Sequence, residues 1–399
     1  MNAYIYFLQF LKDDEKSVGG GGIGTLISYL CPLLEGLGHE VTVYQCASHP
    51  FETKWRNTTV VGIPLYPGRG NPNEKVVQHF RDIANKRSPL SDCLEIFAAD
   101  FFSVKNNNPF SICIQNGLAW DADIKLLTSK KIHHTEIGEK VFRYRCQLRG
   151  LRRFETCFNR VTVDLYFLNW YRSFRGINLK GRVWYNPNPA PSVGWYSERE
   201  TIGKDEPKRI IIARRLAPEK GTRVIAGVLR ELLQIRPEIR ITIAGEGPDE
   251  KWLREYFKNE SRVDITFYQS EDSIRIHRQH DIAVVPSLCG EATCLSVLEA
   301  MAAGCTVMAT NMGGTITEII DGLNGLLCWP VHEKILETLL QLVDLSEEER
   351  IRMQKCAWET SQRAFSMKKW EDHWKAIIEE VVDSERCPKR RKIHTKIMN

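Results

Sequence analysis

Hydrophobic and polar positions along this chain fall into two alternating registers. Short, nearly continuous apolar runs read as buried strands at Ala3 to Phe10, Glu40 to Gln45, Thr59 to Pro64 and Ser111 to Gln115. Between them, apolar residues recur at three- and four-residue spacing, which predicts helices over Thr25 to Leu37, Val76 to Asn85 and Glu139 to Phe158; Gly38 stops the first. The pattern then restarts. Arg209 to Ala213, Arg240 to Ala244, Val263 to Phe267, Ile282 to Val285 and Thr306 to Ala309 read as strands. Thr222 to Ile235, Asp249 to Lys258 and a segment beginning near Thr293 read as helices. Strand alternating with helix predicts parallel sheets with helices on both faces. A late helix, Met367 to Val382, carries Trp370, Trp374, Ile377 and Ile378 on one side and is expected to dock back on the first half of the chain.

Length agrees with two units, since 399 residues exceed a typical single core. The breaker-rich segment Tyr185-Asn186-Pro187-Asn188-Pro189-Ala190-Pro191 reads as a hinge between two α/β domains that face a cleft. The expected division is a first domain over 1–188, a second over 189–364, the docking helix over 365–382 and a disordered basic tail over 383–399. Ligands of such sheets bind outside the carboxyl ends of the strands.

Composition changes this picture little. The formal charge of +5 is modest and does not argue for nucleic acid. The basic residues are concentrated in two places. One is the tail from Arg386 to Lys396. The other is Arg143, Arg145, Arg149, Arg152, Arg153 and Arg160, interleaved with Phe142, Tyr144, Leu148, Leu151, Phe154 and Phe158. Each is either a solvated surface or a face for anionic lipid headgroups or an anionic acceptor. The 12 cysteines show neither a CxxC pair nor alternating Cys/His spacing, which argues against a zinc site and a disulfide framework and fits a reducing, cytoplasmic setting. The N-terminus lacks the basic region and cleavage site of a signal peptide, and no apolar run approaches the length of a membrane span. Any membrane contact would be peripheral, at the inner face.

Three motifs carry the candidate chemistry, all at expected strand ends. The glycine run Gly19 to Gly24, with Gly22 and Gly24 at the entry to a helix, would let backbone N–H groups approach a phosphate. It fits neither the Walker loop nor the dinucleotide fingerprint. In Arg214-Arg215-Leu216-Ala217-Pro218-Glu219-Lys220-Gly221, Arg215 and Lys220 could neutralise a diphosphate, while Arg214 reads as a surface charge. The third motif runs from Gly290 to Gly304 and holds two carboxylates, Glu291 and Glu299, with seven residues between them. Eight helical positions rise roughly 12 Å, enough to hold one nucleotide sugar at both ends. Thr293 is expected to cap the helix, leaving the N–H groups of Thr293, Cys294 and Leu295 to face a phosphate. Glu299 has apolar helical neighbours and needs a partner or a function. Gly245 and Gly247, in Gly-Glu-Gly-Pro, and the Gly313-Gly314 turn complete the set. Asp121-Ala122-Asp123 matches a bare metal-binding pattern, but such short patterns arise often by chance, and it is expected to lie away from the diphosphate. No metal ligands are assigned.

Together, Arg-x4-Lys-Gly, Glu-x7-Glu, Gly-Glu-Gly-Pro and the Gly-Gly turn resemble the retaining glycosyltransferases of family four, densely over Arg209 to Leu327 and more weakly in the first domain. The resemblance implies the B-type glycosyltransferase fold, two Rossmann-like domains around a central cleft. It implies transfer of a hexosyl or N-acetylhexosaminyl group from a UDP-sugar or GDP-sugar to a hydroxyl of a glycan or lipid-linked acceptor, as in cell-envelope, capsular or lipopolysaccharide synthesis, without a further cofactor. On that basis Arg215 and Lys220 hold the diphosphate, Glu299 the ribose and Glu291 the donor sugar. The family's usual His before a Gly in the first domain is replaced by Asn116, which can orient a hydroxyl but cannot shuttle a proton. A nucleotide-sugar 2-epimerase of the same fold and a non-catalytic glycan- or nucleotide-binding subunit remain alternatives.

Overall fold

The structure is a computed structural model that describes residues 1–19, 21–68, 72–127, 130–176, 179, 181–195 and 208–386. Its strands are β1 (Asn2–Tyr6), β2 (Glu40–Cys46), β3 (Phe51–Trp55), β4 (Thr58–Ile63), β5 (Leu94–Phe97), β6 (Ser111–Gln115), β7 (Leu118–Ala122), β8 (Asn159–Thr162) and β9 (Arg182–Tyr185), then β10 (Arg209–Ala213), β11 (Arg240–Ala244), β12 (Val263–Thr266), β13 (Ile282–Val285), β14 (Cys289–Gly290), β15 (Thr306–Thr310) and β16 (Leu326–Cys328). They form an eight-stranded sheet in the order β3-β4-β2-β1-β5-β6-β8-β9 and a six-stranded sheet in the order β12-β11-β10-β13-β15-β16. Every pairing in the second sheet is parallel, and in the first only β3 is antiparallel to its neighbour. The central strands are mostly apolar because helices cover both faces.

The first core is rich in aromatics. Tyr6 on β1 stacks on Tyr44 of β2 at 5.8 Å between ring centroids and tilts against Phe97 of β5 at 5.3 Å. Its hydroxyl donates to the buried Glu95 at 2.9 Å, which Arg81 also engages at 2.8 Å. A charge buried in this way is kept by being paired and hydrogen-bonded. The helix Met367–Arg386 joins this same core through Trp370, Trp374, Ile377, Ile378 and Val381, and Trp374 is fully buried. The hinge is tied to that helix, since Asn186 Nδ2 donates to the Trp370 carbonyl at 3.2 Å.

Two parts of the first domain depart from the pattern read along the sequence. The helix expected to run to Phe158 spans Glu136–Phe154 and gives way to β8. β8 begins Asn159-Arg160, polar residues that do not read as a strand, yet both are buried. Asn159 Nδ2 donates to the carbonyls of Pro109 (2.7 Å) and Ser111 (3.1 Å), and Arg160 Nη1 donates to the Tyr171 hydroxyl at 2.6 Å. The second departure is the helix Leu165–Arg175, which starts at Asp164; the Asp164 carboxylate accepts from Phe167 N at 2.5 Å.

A two-stranded ribbon links the domains. β7 of the first pairs antiparallel with β14 of the second, Cys289 opposite Ala122 and Gly290 opposite Leu118. Lys12 also reaches across, with Nζ 2.7 Å from Glu246 Oε1.

Candidate functional site

The second-domain half of the site is built where β10 and β11 end. Gly245 and Gly247 adopt φ of +149° and +154°. A Cβ on either would lie 2.0 Å from the Arg214 carbonyl oxygen or 2.3 Å from that of Leu216. Both glycines therefore let the Gly-Glu-Gly-Pro turn close on the segment Arg214 to Lys220, which carries the cations Arg214, Arg215 and Lys220.

Arg214 and Lys220 converge on Glu291. Lys220 Nζ lies 2.7 and 2.8 Å from the two carboxylate oxygens, Arg214 Nη2 is 2.6 Å from Oε1, and the Ser287 hydroxyl donates to Oε1 at 2.5 Å. Arg214 Nη1 donates in turn to Ser287 Oγ at 2.8 Å. Burial alone would raise the Glu291 carboxyl, but the charges of Lys220 and Arg214 and the hydrogen bonds from Lys220 and Ser287 outweigh it and hold the group well below the usual carboxylate range. Glu291 is thus a fixed anion between two cations.

Arg215 does not join this cluster. It is exposed and pairs with Glu219 one turn on, whereas the buried residue is Arg214, the one expected at the surface. Two adjacent arginines at a strand end point to opposite sides, and spacing alone cannot say which turns inward. The Glu291 contact was the missing signal.

Glu291 is continuous with the Gly313-Gly314 turn. Gly314 N donates to the Glu291 carbonyl at 2.7 Å, and a Cβ on Gly313, at φ +62°, would sit 2.3 Å from that same oxygen. The following helix spans Leu295–Ala302 and corrects the expected cap. Its N-cap is Cys294, without a side-chain cap bond. Thr293 instead donates its hydroxyl to the Val163 carbonyl of the first domain and accepts from Asn188 N at 3.1 Å. The Cys294 N–H is also occupied, by the Glu318 carboxylate, which is fully buried. Neither group is left open to a phosphate in this arrangement. Leu295 faces the first domain, 3.4 Å from where a Cβ on Gly22 would lie.

Glu299 lies on this helix, and burial pushes its carboxyl up to about 8. Burial raises the hydroxyls of Tyr29 of the first domain and Tyr268 of the second, and the Glu299 charge adds to both rises.

On the first-domain side, Gly22 and Gly24 fall within the first turn of the helix Gly21–Gly36 rather than in a loop before it. A Cβ on Gly24 would lie 1.7 Å from the Gly19 carbonyl oxygen, so the chain passes too closely there for any side chain. Asn116 spends its amide on the Ala98 carbonyl at 2.6 Å. Asp121, expected to lie away from the site, is brought to it by the β7–β14 pairing. Its Oδ2 is 2.7 Å from the position of a Cβ on Gly290, the residue before Glu291. Among the described residues, no group of three or more His, Cys, Asp or Glu side chains is placed to hold a metal ion.

The basic segment is divided. Arg160 is in the core, and Arg143 is held by Glu139 (2.7 Å) and the Trp120 carbonyl (2.7 Å). Arg145, Arg149 and Arg152 are exposed, alongside Ile137, Val141 and Tyr144. The tail beyond Arg386 lies outside the described residues. None of the described helices is long and apolar enough to cross a membrane.

Comparison with known proteins agrees with this geometry. Residues 197–359 match the family model described as glycosyl transferases group 1. The chain is 31% identical over 134 residues to a component of the human phosphatidylinositol N-acetylglucosaminyltransferase, covering 33% of this chain and 27% of that protein. It is 25% identical over 211 residues to the lipopolysaccharide 1,2-N-acetylglucosaminetransferase of Salmonella typhimurium, covering 47% of this chain and 54% of the relative. These matches span from about a quarter to about half of the relatives' lengths. In three dimensions the sucrose-phosphate synthase of Thermosynechococcus elongatus superposes with a TM-score of 0.75 at 14% identity, covering 96% of this chain and 100% of that one. The matched segment contains the whole of the second sheet, and the two sheets together with this superposition give the chain the B-type glycosyltransferase fold.

Proposed function

We propose that the protein is a retaining glycosyltransferase that moves a hexosyl or N-acetylhexosaminyl group from a UDP-sugar or GDP-sugar to a hydroxyl of a glycan or lipid-linked acceptor. The observation that carries this reading is the Lys220–Glu291–Arg214 cluster at the carboxyl ends of the second sheet, opposite the glycine-rich first turn of the helix Gly21–Gly36. A cation pair held on one carboxylate can be shared with an arriving diphosphate. Glu291 retains oxygen lone pairs for a sugar hydroxyl when Lys220 turns to the phosphate. Glu299, isolated in an apolar wall, suits the two ribose hydroxyls.

The reaction is a front-face displacement. The bond from the sugar's anomeric carbon to the phosphate oxygen breaks, the acceptor oxygen bonds to the same face, and the acceptor proton passes to the departing phosphate oxygen. Lys220 and Arg215 would stabilise charge growing on the diphosphate. Such a mechanism needs no protein base, consistent with the amide at Asn116. The two relatives act in phosphatidylinositol and lipopolysaccharide sugar transfer by name, which favours envelope-type or lipid-linked acceptors. Work at the inner face of a membrane, through the exposed Ile137, Val141, Tyr144 and nearby arginines, suits such acceptors.

Calorimetry with UDP, GDP and their sugars tests the reading. One diphosphate should bind at micromolar affinity to the wild type and far more weakly to Lys220→Ala. Absence of binding by any of them sinks it.

A further inference from the structure

Residues 10–19 follow β1 as a hairpin that reaches the second domain, and it is braced twice. At its base, the buried Gln45 of β2 gives its whole side-chain amide to the hairpin. Its Oε1 accepts from Phe10 N (2.9 Å) and Leu11 N (2.7 Å), and its Nε2 donates to the Leu11 carbonyl at 3.0 Å. Leu11 bridges to Val18, Gly19 N donates to the Phe10 carbonyl at 2.7 Å, and Lys12 N donates to the Ser17 carbonyl at 2.9 Å. At its tip, Asp14 Oδ1 accepts from Lys16 N (2.9 Å) and Ser17 N (2.8 Å), and Oδ2 accepts from the Ser17 hydroxyl at 2.5 Å. Glu15 closes the turn at φ +58°, with its N–H on the Lys12 carbonyl at 2.9 Å. A left-handed residue other than glycine persists only where its surroundings hold it.

This frame carries one cation to the second domain. Lys12 Nζ lies 2.7 Å from Glu246 Oε1 and 5.6 Å from the centre of the half-exposed Phe267 ring. Glu246 and Phe267 follow the neighbouring parallel strands β11 and β12, beyond whose carboxyl ends ligands of such sheets bind. Glu246 also belongs to the Gly-Glu-Gly-Pro turn. Its carbonyl accepts from Leu216 N at 2.9 Å, which ties Lys12, through that turn, to the segment that carries Arg214 and Lys220. The contact itself is weak. The Lys12 and Glu246 side chains keep 37% and 59% of their surfaces exposed, and a solvated Lys–Glu pair adds little to stability. A cation over an exposed ring adds little more. A rigid support under a weak bond makes a contact that is fixed in position and easily released.

We infer that the hairpin 10–19 is an interdomain latch: Lys12, seated on Glu246 and Phe267, holds the edge of the cleft closed, and its release sets the rate at which nucleotide enters and leaves. The latch opens for passage in either direction and closes again behind it. Weakening it therefore speeds entry and exit by the same factor and leaves affinity as it was. A cation that touched the donor would do the opposite, since its loss would weaken affinity.

The latch rests on nucleotide binding in the cleft, as proposed above, and two measurements on the full chain keep the two apart. The first is hydrogen exchange without nucleotide. Residues 11–18 and 245–248 should exchange about two- to fivefold faster in Lys12→Met and Glu246→Gln than in the wild type, the range that a solvated ion pair carries, with thermal midpoints unchanged. The second is stopped-flow tryptophan fluorescence with UDP and GDP. Association and dissociation rates should rise together in both variants, leaving Kd at the wild-type value. The excess should vanish between about 0.01 M and about 1 M salt, as the Debye length falls from about 30 Å to about 3 Å. Unchanged exchange in both segments overturns the latch. Faster exchange with unchanged nucleotide rates, or an excess that persists at high salt, also overturns it. So does a weaker affinity in Lys12→Met, which would make Lys12 a donor contact. A wild type that binds neither UDP nor GDP defeats the donor reading, while the exchange comparison, made without nucleotide, still decides whether the latch exists.

Discussion

The Lys220 ammonium spans both oxygens of Glu291, at 2.7 and 2.8 Å, so the residue proposed to meet the diphosphate is held by the residue proposed to meet the sugar. This pairing has a consequence that a simple binding role lacks. Replacing Glu291 by Gln removes the anion but keeps the shape, and leaves Lys220 and Arg214 facing a neutral amide. The unliganded protein should lose roughly 3 kcal/mol of stability, the cost of breaking a mostly buried ion pair. Affinity for UDP or GDP should stay equal or rise, because Lys220 is released, while turnover of the sugar donor falls about a hundredfold or more. Urea denaturation, calorimetry and single-turnover rates measure the three quantities; weaker diphosphate binding in Glu291→Gln would break the proposed sharing of Lys220.

The adjacent arginines should separate cleanly. Arg214 is buried and touches Glu291 and Ser287, so Arg214→Ala should cost about 2–4 kcal/mol of stability by leaving Glu291 under-paired. Arg215 is exposed against Glu219, and Arg215→Ala should change stability by less than about 0.5 kcal/mol. If Arg215 swings onto the diphosphate, its variant will bind the donor about tenfold more weakly despite that unchanged stability. Denaturation curves and donor titrations of the two variants, read side by side, decide this.

The second domain was the more legible half. Its strands are short, mostly apolar runs, and its motifs follow them, with Lys220 after β10, Glu291 after β14 and Glu299 within the helix Leu295–Ala302. The first domain hid more because its polar residues are satisfied inside the fold. Asn159 and Arg160 conceal β8, and Asp164 conceals the helix it caps. Local spacing also could not foresee contacts made across the cleft. Thr293 has the sequence context of a cap, yet its hydroxyl is taken by Val163, 130 residues away, and Asp121 reaches the site only through the β7–β14 ribbon.

Of the side chains that fasten the C-terminal helix to the first domain, Trp374 is the largest that is fully buried. Trp374 is 0% exposed and packs in the same core as Tyr6 and Tyr44. Trp374→Ala should cost about 3–5 kcal/mol. The loss should appear as faster amide exchange in the helix Met367–Arg386 and in β1 and β2, with β10 to β16 little changed. Equal loss of protection in both sheets would mean that the two domains unfold as one unit and that this helix does not belong to the first.

Glu299 gives a prediction with a definite sign. Its carboxyl is raised from 4.5 to about 8 by burial, so the folded state holds a proton that the unfolded chain gives up. The associated stability is complete below pH ~4.5 and declines as pH rises toward 8, by at most about 1.4 kcal/mol per pH unit. Asp164 and Asp100, also raised by burial to about 6 and 7, slope the same way, so the wild-type curve alone cannot assign the effect. The difference between wild type and Glu299→Gln can, because Gln keeps the neutral form at every pH. Glu299→Gln should gain stability relative to the wild type between pH 5 and 8 and match it below pH 4.5. Nucleotide binding adds a second readout. A ribose hydrogen-bonded to Glu299 favours the ionised form, so donor binding near pH 7 should release a proton, detected as a buffer-dependent heat in calorimetry. That release should vanish in Glu299→Gln, along with about tenfold or more of the affinity. A wild-type binding heat independent of buffer at pH 7, with a parallel stability profile for the two proteins, would remove both the raised carboxyl and its contact with the ribose.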